Sequence, residues 1–399
     1  MGDVELAAAV WFMFQRNQRE IHRRRERSKI YAIPNSHVPL LDIYLDESKP
    51  MQYDYRLSRT SIEALMALLR REKTHGWGLH VEVLITVYWL AHGLSYTVVS
   101  RVFDVPKTTV FDIIHRMCAA ILSLLGKVVH FPSVAQCAEV GRGFQHLANS
   151  AAFSHCVGAI DGCHIRIKAP HGPHAQDYLN RKLFHSVQLQ AICDSTGKFL
   201  DIFVGYPGSV HDTRVLRNSP VFVSGCYPPP GHFIVGDGGY PCLSAPVTLI
   251  TPYREPVRGR VEVRFNGHHA RARSIIERTF GMMKSRWRGI FLKALEVEHT
   301  FAPKVVAVCA VLHNICVTSG DILEPAAEED PVLQPPPVQE DQGGGCELQD
   351  GMDSSSSSQL ETPWPDGTSP PDVALLQGEA SAAGGPGFDA EHEATRVGG

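Results

Sequence analysis

Three apolar segments between residues 156 and 208 constrain the fold more than any other feature of the chain. CVGAIDGCHIRI (156–167) is apolar and ends in alternation. SVQLQAICD (186–194) alternates cleanly, and FLDIFVGYPG (199–208) follows it across the turn Ser195-Thr196-Gly197-Lys198. Period-two alternation beside a short Gly-containing turn predicts a hairpin, and apolar runs of this length predict strands buried on both faces. Four further segments follow: a helix-like HDTRVLRNSPVF (211–222), a strand HFIVGDGGY (232–240), a basic amphipathic helix ARARSIIERTFGMMKSRWRGIF (270–291) and an apolar closing helix VVAVCAVLHNICV (305–317). The order β-β-β-α-β-α-α predicts an α/β architecture, a mixed sheet flanked by helices.

Carboxylates stand in the wrong places for plain structure. Asp161 interrupts the first apolar strand and Asp237 ends another among Gly236, Gly238 and Gly239. An ionised carboxylate in such a strand is costly unless a cation or metal pairs it. Glu277 follows Ile275 and Ile276, and this spacing predicts a position near the apolar face of its helix. Each acid alone has a bland explanation, a capped turn or a Gly-rich loop; three together point to a site. Carboxylates are the hard oxygen ligands that Mg2+ or Mn2+ prefers, and two ions sharing one Asp can drive in-line attack on phosphorus. Asp161 is the expected bridging ligand, with Asp237 holding one ion and Glu277 the other. Asp212, in GSVHDTR, is a fourth acid that reads equally as an auxiliary ligand or a helix N-cap. Around these acids Arg181, Lys182, Arg271, Arg273, Arg278, Lys284, Arg286 and Arg288 are expected to position phosphates, with Trp287 available for stacking; a solvated helix face is the competing reading.

From Tyr55 to about Leu125 the periodicity is helical. Ile62, Leu65, Met66, Leu68 and Leu69 share one helix face, and Val81 to His92 reads as a second helix. A helix around Tyr96–Phe103, a turn at Asp104-Val105-Pro106 and a helix from Lys107 form the helix-turn-helix format, in which Lys107, Thr108 and Thr109 would meet DNA. A plain helical hairpin is the alternative. Residues 131–149 read as a weakly patterned linker. The organisation expected is a basic N-terminal segment (1–54, with a basic run at 15–29), an all-α DNA-binding domain (55–130), a nuclease-like domain (155–319) and a disordered acidic tail (320–399).

The net charge of −4 averages unlike parts. Residues 321–399 hold 17 Asp and Glu against Arg396, so residues 1–320 carry 37 Lys and Arg against 25 Asp and Glu. A basic body suits a polyanion ligand, and the acidic tail either solvates the chain or competes with DNA. The most apolar stretch, Val83–Val99, contains His92, Gly93, Ser95 and Tyr96 and reads as a buried helix rather than a membrane span. The ten cysteines form no C-x-x-C pair and are expected to be reduced thiols inside the cell. His171-x-x-His174 and His268-His269 lack a second ligand pair at finger spacing, which disfavours structural zinc.

AIDGCHIRIKAP, YLNRKLFHSVQLQAICD, GYPGSVHDTRVLRNS, GDGGYP, ARARSIIERTFGMMKSRWRGI and VLHNIC, in this order, resemble the DDE domain of PIF/Harbinger transposases and of the nucleases derived from them. The likeness is strong over 155–317, and the helical region at 55–125 is similar to the family's N-terminal domain. Cys163 and Gly238 stand where such proteins often carry Thr and Ser, and the acidic tail is not part of the pattern. The resemblance implies an RNase H-like fold, metal ligation by Asp161, Asp212, Asp237 and Glu277, and Mg2+ or Mn2+ as cofactor. It also implies DNA as substrate, a Myb/SANT-like DNA-binding partner and a nuclear location, with the cytoplasm and a homo-oligomer allowed for. Two functions compete: a metal-dependent endonuclease, and a catalytically silent DNA-binding or transcriptional protein that keeps the domain as scaffold. RNA cleavage in the manner of RNase H is a third, weaker reading.

Overall fold

The structure, a computed structural model, describes residues 38–69, 77–323 and 376–377; the basic run at 15–29 and nearly all of the acidic tail lie outside these. The N-terminal part is helical: α1 (Pro39–Leu45), α2 (Gln52–Tyr55), α3 (Arg59–Leu69), α4 (Leu79–His92), α5 (Tyr96–Phe103), α6 (Lys107–Leu122), α7 (Leu125–Val128) and α8 (Val134–Ala148). Then come β1 (Cys156–Arg166), β2 (Ser186–Cys193) and β3 (Phe199–Pro207), α9 (Asp212–Asn218), α10 (Pro220–Ser224), β4 (Phe233–Val235) and β5 (Leu249–Ile250). The long α11 (Arg260–Arg286), the single turn α12 (Arg288–Phe291) and α13 (Ala302–Thr318) follow. Five strands make a mixed sheet in the order β5-β4-β1-β2-β3, and a two-residue β6 (Leu376–Gln377) pairs outside β3. β2 is antiparallel to both β1 and β3, whereas β4 runs parallel to β1. The expected mixed α/β architecture is therefore present.

The register assigns the faces. Residues directly opposite each other on paired strands point to one side, so Asp161, opposite Ala191, shares a face with Ala159, Cys163 and Leu189. That face packs on α11 through Ile275, Ile276, Phe280 and Met283, and on α13. The opposite face carries Val157, Ile160 and Ile192 against Leu216 of α9 and Val221 of α10. The apolar cluster on the α11 side continues without a break into Val83, Leu84, Val110 and Ile114 of the helical region.

α13 joins the two parts. Its Asn314 side chain accepts from Phe199 N–H (2.8 Å) and donates to the carbonyls of Phe199 (2.7 Å) and Val128 (3.0 Å). His313 Nε2 lies 2.8 Å from the Gly197 carbonyl, and burial lowers its pKa to about 4, so the neutral ring holds the turn between β2 and β3. The HNIC sequence thus serves as a clasp between sheet and helices. A second clasp is Arg286, buried at 3% exposure, whose guanidinium donates to the Arg56 and Asp321 carbonyls and to Asp321 Oδ1. Asp321 in turn accepts from Ser58 N–H and Ser61 Oγ.

Several expectations are corrected. The expected linker at 131–149 contains α8, opened by Ser133, whose N–H donates to Gln136 Oε1 at 2.9 Å, and packed through Cys137, Phe144 and Ala148. β4 is three residues long, Phe233–Val235; Gly236 makes a last bond to the Ile250 carbonyl of β5, and the chain then turns off into the Gly-rich loop. α11 begins ten residues before the expected start, with polar opening turns that show no apolar stripe. Arg286 and Trp287, expected at a nucleic-acid surface, are both buried.

Asp201 gives a test of this sheet. It is buried on β3, and desolvation raises its carboxyl to about 7 from an ordinary 3.8, against a smaller opposing effect of the Ile202 N–H. The folded state therefore binds a proton that the unfolded chain has released between about pH 4 and 7, and stability falls as pH rises through that window. Asp201→Asn is expected to raise the melting temperature at pH 8, with the gain shrinking toward pH 4 when melting is followed by circular dichroism.

Candidate active site

The site is built where β1 outruns its short parallel neighbour. β4 pairs with β1 only from Cys156 to Ala159, so Asp161 lies just past the paired stretch with one flank open. Asp237 is two residues beyond the end of β4, and its Oδ1 accepts from Gly239 N–H at 3.0 Å. Asp161 Oδ1 accepts from Gly162 N–H at 2.8 Å.

α11 crosses on the Asp161 face and supplies both a base and an acid. Arg273 Nη1 lies 2.7 Å from Glu277 Oε1 and 3.5 Å from Asp161 Oδ2. One guanidinium therefore faces two of the expected acids, while Glu277, 52% exposed, is wetter than its sequence neighbours predicted. Desolvation raises Asp161 to about 6; the Gly162 N–H and Arg273 oppose this, and Asp237 and Glu277 add to it. That balance means Asp161, Asp237, Glu277 and Arg273 act on one another electrostatically.

Asp212 approaches from the other face. It is the first residue of α9, whose N-cap is His211, so the alternative N-cap role for Asp212 falls away. Gln188 Nε2 donates to its Oδ1, and Gly162 is what admits it: a Cβ there would lie 2.5 Å from Asp212 Oδ1. Burial first, then Asp237, raises the Asp212 pKa, whereas His211, Arg181 and Gln188 lower it. Asp237 is thus the acid to which both Asp161 and Asp212 are coupled. Tyr240 is 4% exposed, its hydroxyl has no hydrogen-bond partner among the described residues, and its ionisation is opposed by burial and then by Asp212, Asp161 and Asp237.

The cations flank the acids. Asn180, buried, accepts the N–H groups of Lys182 and Phe184 and donates to Ser186 Oγ, which braces a tight turn. The turn exposes Arg181, Lys182 and Leu183; Leu183 is 80% exposed in the left-handed region at φ 58°. Burial, then Lys182, Lys284 and Arg181, lowers the His164 pKa, so these cations gather around the outer half of β1. α11 and β1 keep pace: Glu277 to Lys284 spans about 10.5 Å of helix, and Asp161 to His164 about 10 Å of strand. Arg278 on α11 and Arg288 at the start of α12 are exposed. Lys107 and Thr108 are exposed and Thr109 half-buried on the first turn of α6, in a separate part of the chain. Arg273, expected among the phosphate-positioning cations, instead faces two acids; Gln188, Tyr240 and His164 carry no sequence signal of this kind, and their places come from register and helix phase.

Among the described residues no three Asp, Glu, His or Cys side chains stand close enough together to ligate a metal as they are. The donor chemistry still fits a hard cation. The carboxylates act on one another and already face one cation, the Arg273 guanidinium, and their oxygens are the donors a divalent cation takes.

Residues 160–314 match the family model described as DDE superfamily endonuclease. Among curated proteins the chain is similar to "Protein ALP1-like" of Arabidopsis thaliana, 26% identical over 308 residues that cover 70% of this chain and 74% of that one. It is also similar to "Putative nuclease HARBI1" of Rattus norvegicus, 25% identical over 337 residues covering 82% and 91%, and to its Homo sapiens namesake, 26% identical over 324 residues covering 79% and 87%. No solved structure matches it. The sheet and the acids lie within the stretch, 160–314, that is similar to the DDE superfamily endonuclease family. The relatives of these names are Harbinger transposase-derived nucleases, and the chain is similar to them over 70–82% of its length.

The placement of Asp212 behind Gly162 is testable. Gly162→Ala is expected to destabilise the fold by about 1–3 kcal/mol through overpacking. In an Asp212→Ala background most of that penalty should vanish in a denaturation double-mutant cycle. An undiminished penalty would show that the two residues do not meet.

Proposed function

We propose that the protein is a divalent-metal-dependent endonuclease acting on DNA. The observation that carries this reading is the carboxylate of Asp161 in the central strand, coupled to Asp237 and Glu277 and already facing a cation, Arg273. Asp161, Asp237 and Glu277 would hold Mg2+ or Mn2+, with Asp212 supporting Asp237 from the far face. Bound there, such a cation supplies Lewis acidity toward phosphate oxygen and makes water a better nucleophile; two such ions are the arrangement proposed.

The chain's own residues would do the rest. Arg181, Lys182, Lys284, Arg278 and Arg288 would take phosphate oxygens on either side of the scissile bond, which fixes the strand but reads no sequence. Glu277, the most exposed acid, is suited to orient the attacking water, because it can turn between Arg273 and the reaction centre. Arg286 is left out of this set, since its guanidinium is spent on Arg56 and Asp321. α5 and α6, joined by three residues, would act as a helix-turn-helix with Lys107, Thr108 and Thr109 toward DNA. A Myb/SANT-like partner would supply target choice, and the nucleus is the proposed place of action.

The second reading, a silent DNA-binding protein, is favoured by one observation: Arg273 already neutralises two of the acids. Nicking of supercoiled plasmid by the full chain separates the two. With Mn2+ or Mg2+, wild-type protein is expected to nick, and Asp161→Asn or Glu277→Gln to lose roughly 100-fold or more, the scale for removing one charged group from a reaction centre. If wild type, with its partner supplied, nicks no faster than Glu277→Gln, the endonuclease reading fails and the silent one stands.

A further inference from the structure

We infer that a pocket opening at Gly238 receives an unpaired nucleobase of the DNA strand held at the acids, an inference that rests on the endonuclease reading. The pocket has a volume of about 400 Å3, within the range of small-ligand sites. It begins one residue after Asp237. One wall is Gly238 and Tyr240, and the other is Pro252, Tyr253, Arg254 and Phe265.

Its chemistry is that of a base-stacking site. Tyr253 is 53% exposed and stands edge-on to Phe265, ring centroids 5.5 Å apart at 80°. A half-exposed aromatic face next to a cation is what a flat, polar-edged ring stacks on, and every base has such a face. No lining residue is acidic, and Arg254 provides the one charged group, so the pocket suits a polyanion's base and repels nothing on it. At Gly238 a side chain would meet no atom within 4 Å, which leaves the mouth open.

The pocket is fixed in place by the same helix that carries the reacting groups. Asn266 Oδ1 accepts from Tyr253 N–H and Asn266 Nδ2 donates to the Tyr253 carbonyl, each at 2.9 Å. His269 Nε2 lies 3.0 Å from the Ile250 carbonyl. Asn266, His269, Arg273 and Glu277 recur at helical spacing on one stripe of α11, so pocket wall and acid cluster are successive turns of one face. His269 to Arg273 is about 6 Å along the axis, a little under two steps of about 3.4 Å between neighbouring nucleotides of one strand. A strand whose phosphate lies at the acids therefore presents a base next to Tyr253, and that base can enter only when it is not stacked in a duplex.

Binding is measured with the full chain in EDTA, where nothing is cleaved, by fluorescence anisotropy on two duplexes identical except for one bulged 2-aminopurine. Wild type is expected to prefer the bulged duplex by between roughly 5- and 150-fold, the span of one base-on-aromatic stack. Tyr253→Ala should bring the ratio to about one, and Tyr253→Phe should restore it. Equal affinity of wild type for both duplexes, or a preference that survives Tyr253→Ala, overturns the inference. Plasmid nicking on the same preparation judges the other reading separately. A lost preference with nicking intact removes only the pocket, whereas a Tyr253-dependent preference without any nicking removes the endonuclease and leaves a base-binding site.

Discussion

The contact of Arg273 with both Asp161 and Glu277 is the interaction on which this architecture depends. A carboxylate in the central strand of a sheet loses most of its hydration, and Asp161 responds by a pKa raised to about 6. Only a neighbouring cation keeps such a group tolerable in the ionised form. Arg273 supplies it from α11, a 27-residue helix whose Ile275, Ile276, Phe280 and Met283 pack on the same face of the sheet. Once the helix is so placed, Glu277 one turn on reaches the same guanidinium, Lys284 comes within electrostatic reach of His164, and His269 and Asn266 one and two turns back secure β5 and the loop after it. One face of one helix laid against one strand thus forms half of the site, which Asp237 after β4 and Asp212 on α9 complete.

The same economy joins the two halves of the chain. α13 buries nearly every residue, one side toward α6 and the other toward β3, and its Asn314 bonds to backbone of both parts at once. Arg286, at the end of the site helix, ties Arg56 to Asp321. Gly93 and Gly289 meet so closely that a side chain on either would strike the other's backbone, which brings α4 directly onto α12. The helical region is therefore packed onto the sheet through one continuous core rather than carried beside it.

Much of this was legible in the sequence, and the exceptions share a cause. β1, β2, β3, α5 and the start of α6 follow from period and turn chemistry alone, to within a residue or two. Asp161, Asp237 and Glu277 stood out because charge in an apolar run is improbable. What could not be read were relations between distant segments. α8 has only Cys137, Phe144 and Ala148 as strong burial points and so resembled a linker. Arg286 and Trp287 looked like surface residues because their partners, Arg56 and Asp321 for the former, lie far off in sequence. The division of the acids, with Asp212 behind Gly162 and Asp161 toward α11, needs strand register, since alternation sends adjacent residues to opposite faces. Arg273 was one of many basic residues until the helix phase singled it out.

Under the proposed function, Arg273 stands where a divalent cation would bind among Asp161, Asp237 and Glu277. Anomalous diffraction from crystals of the protein soaked in Mn2+ decides this. A manganese peak is expected among these three carboxylates, with the Arg273 side chain turned away from Glu277. Crystals that bind no manganese there, with Arg273 still bridging Asp161 and Glu277, would contradict it.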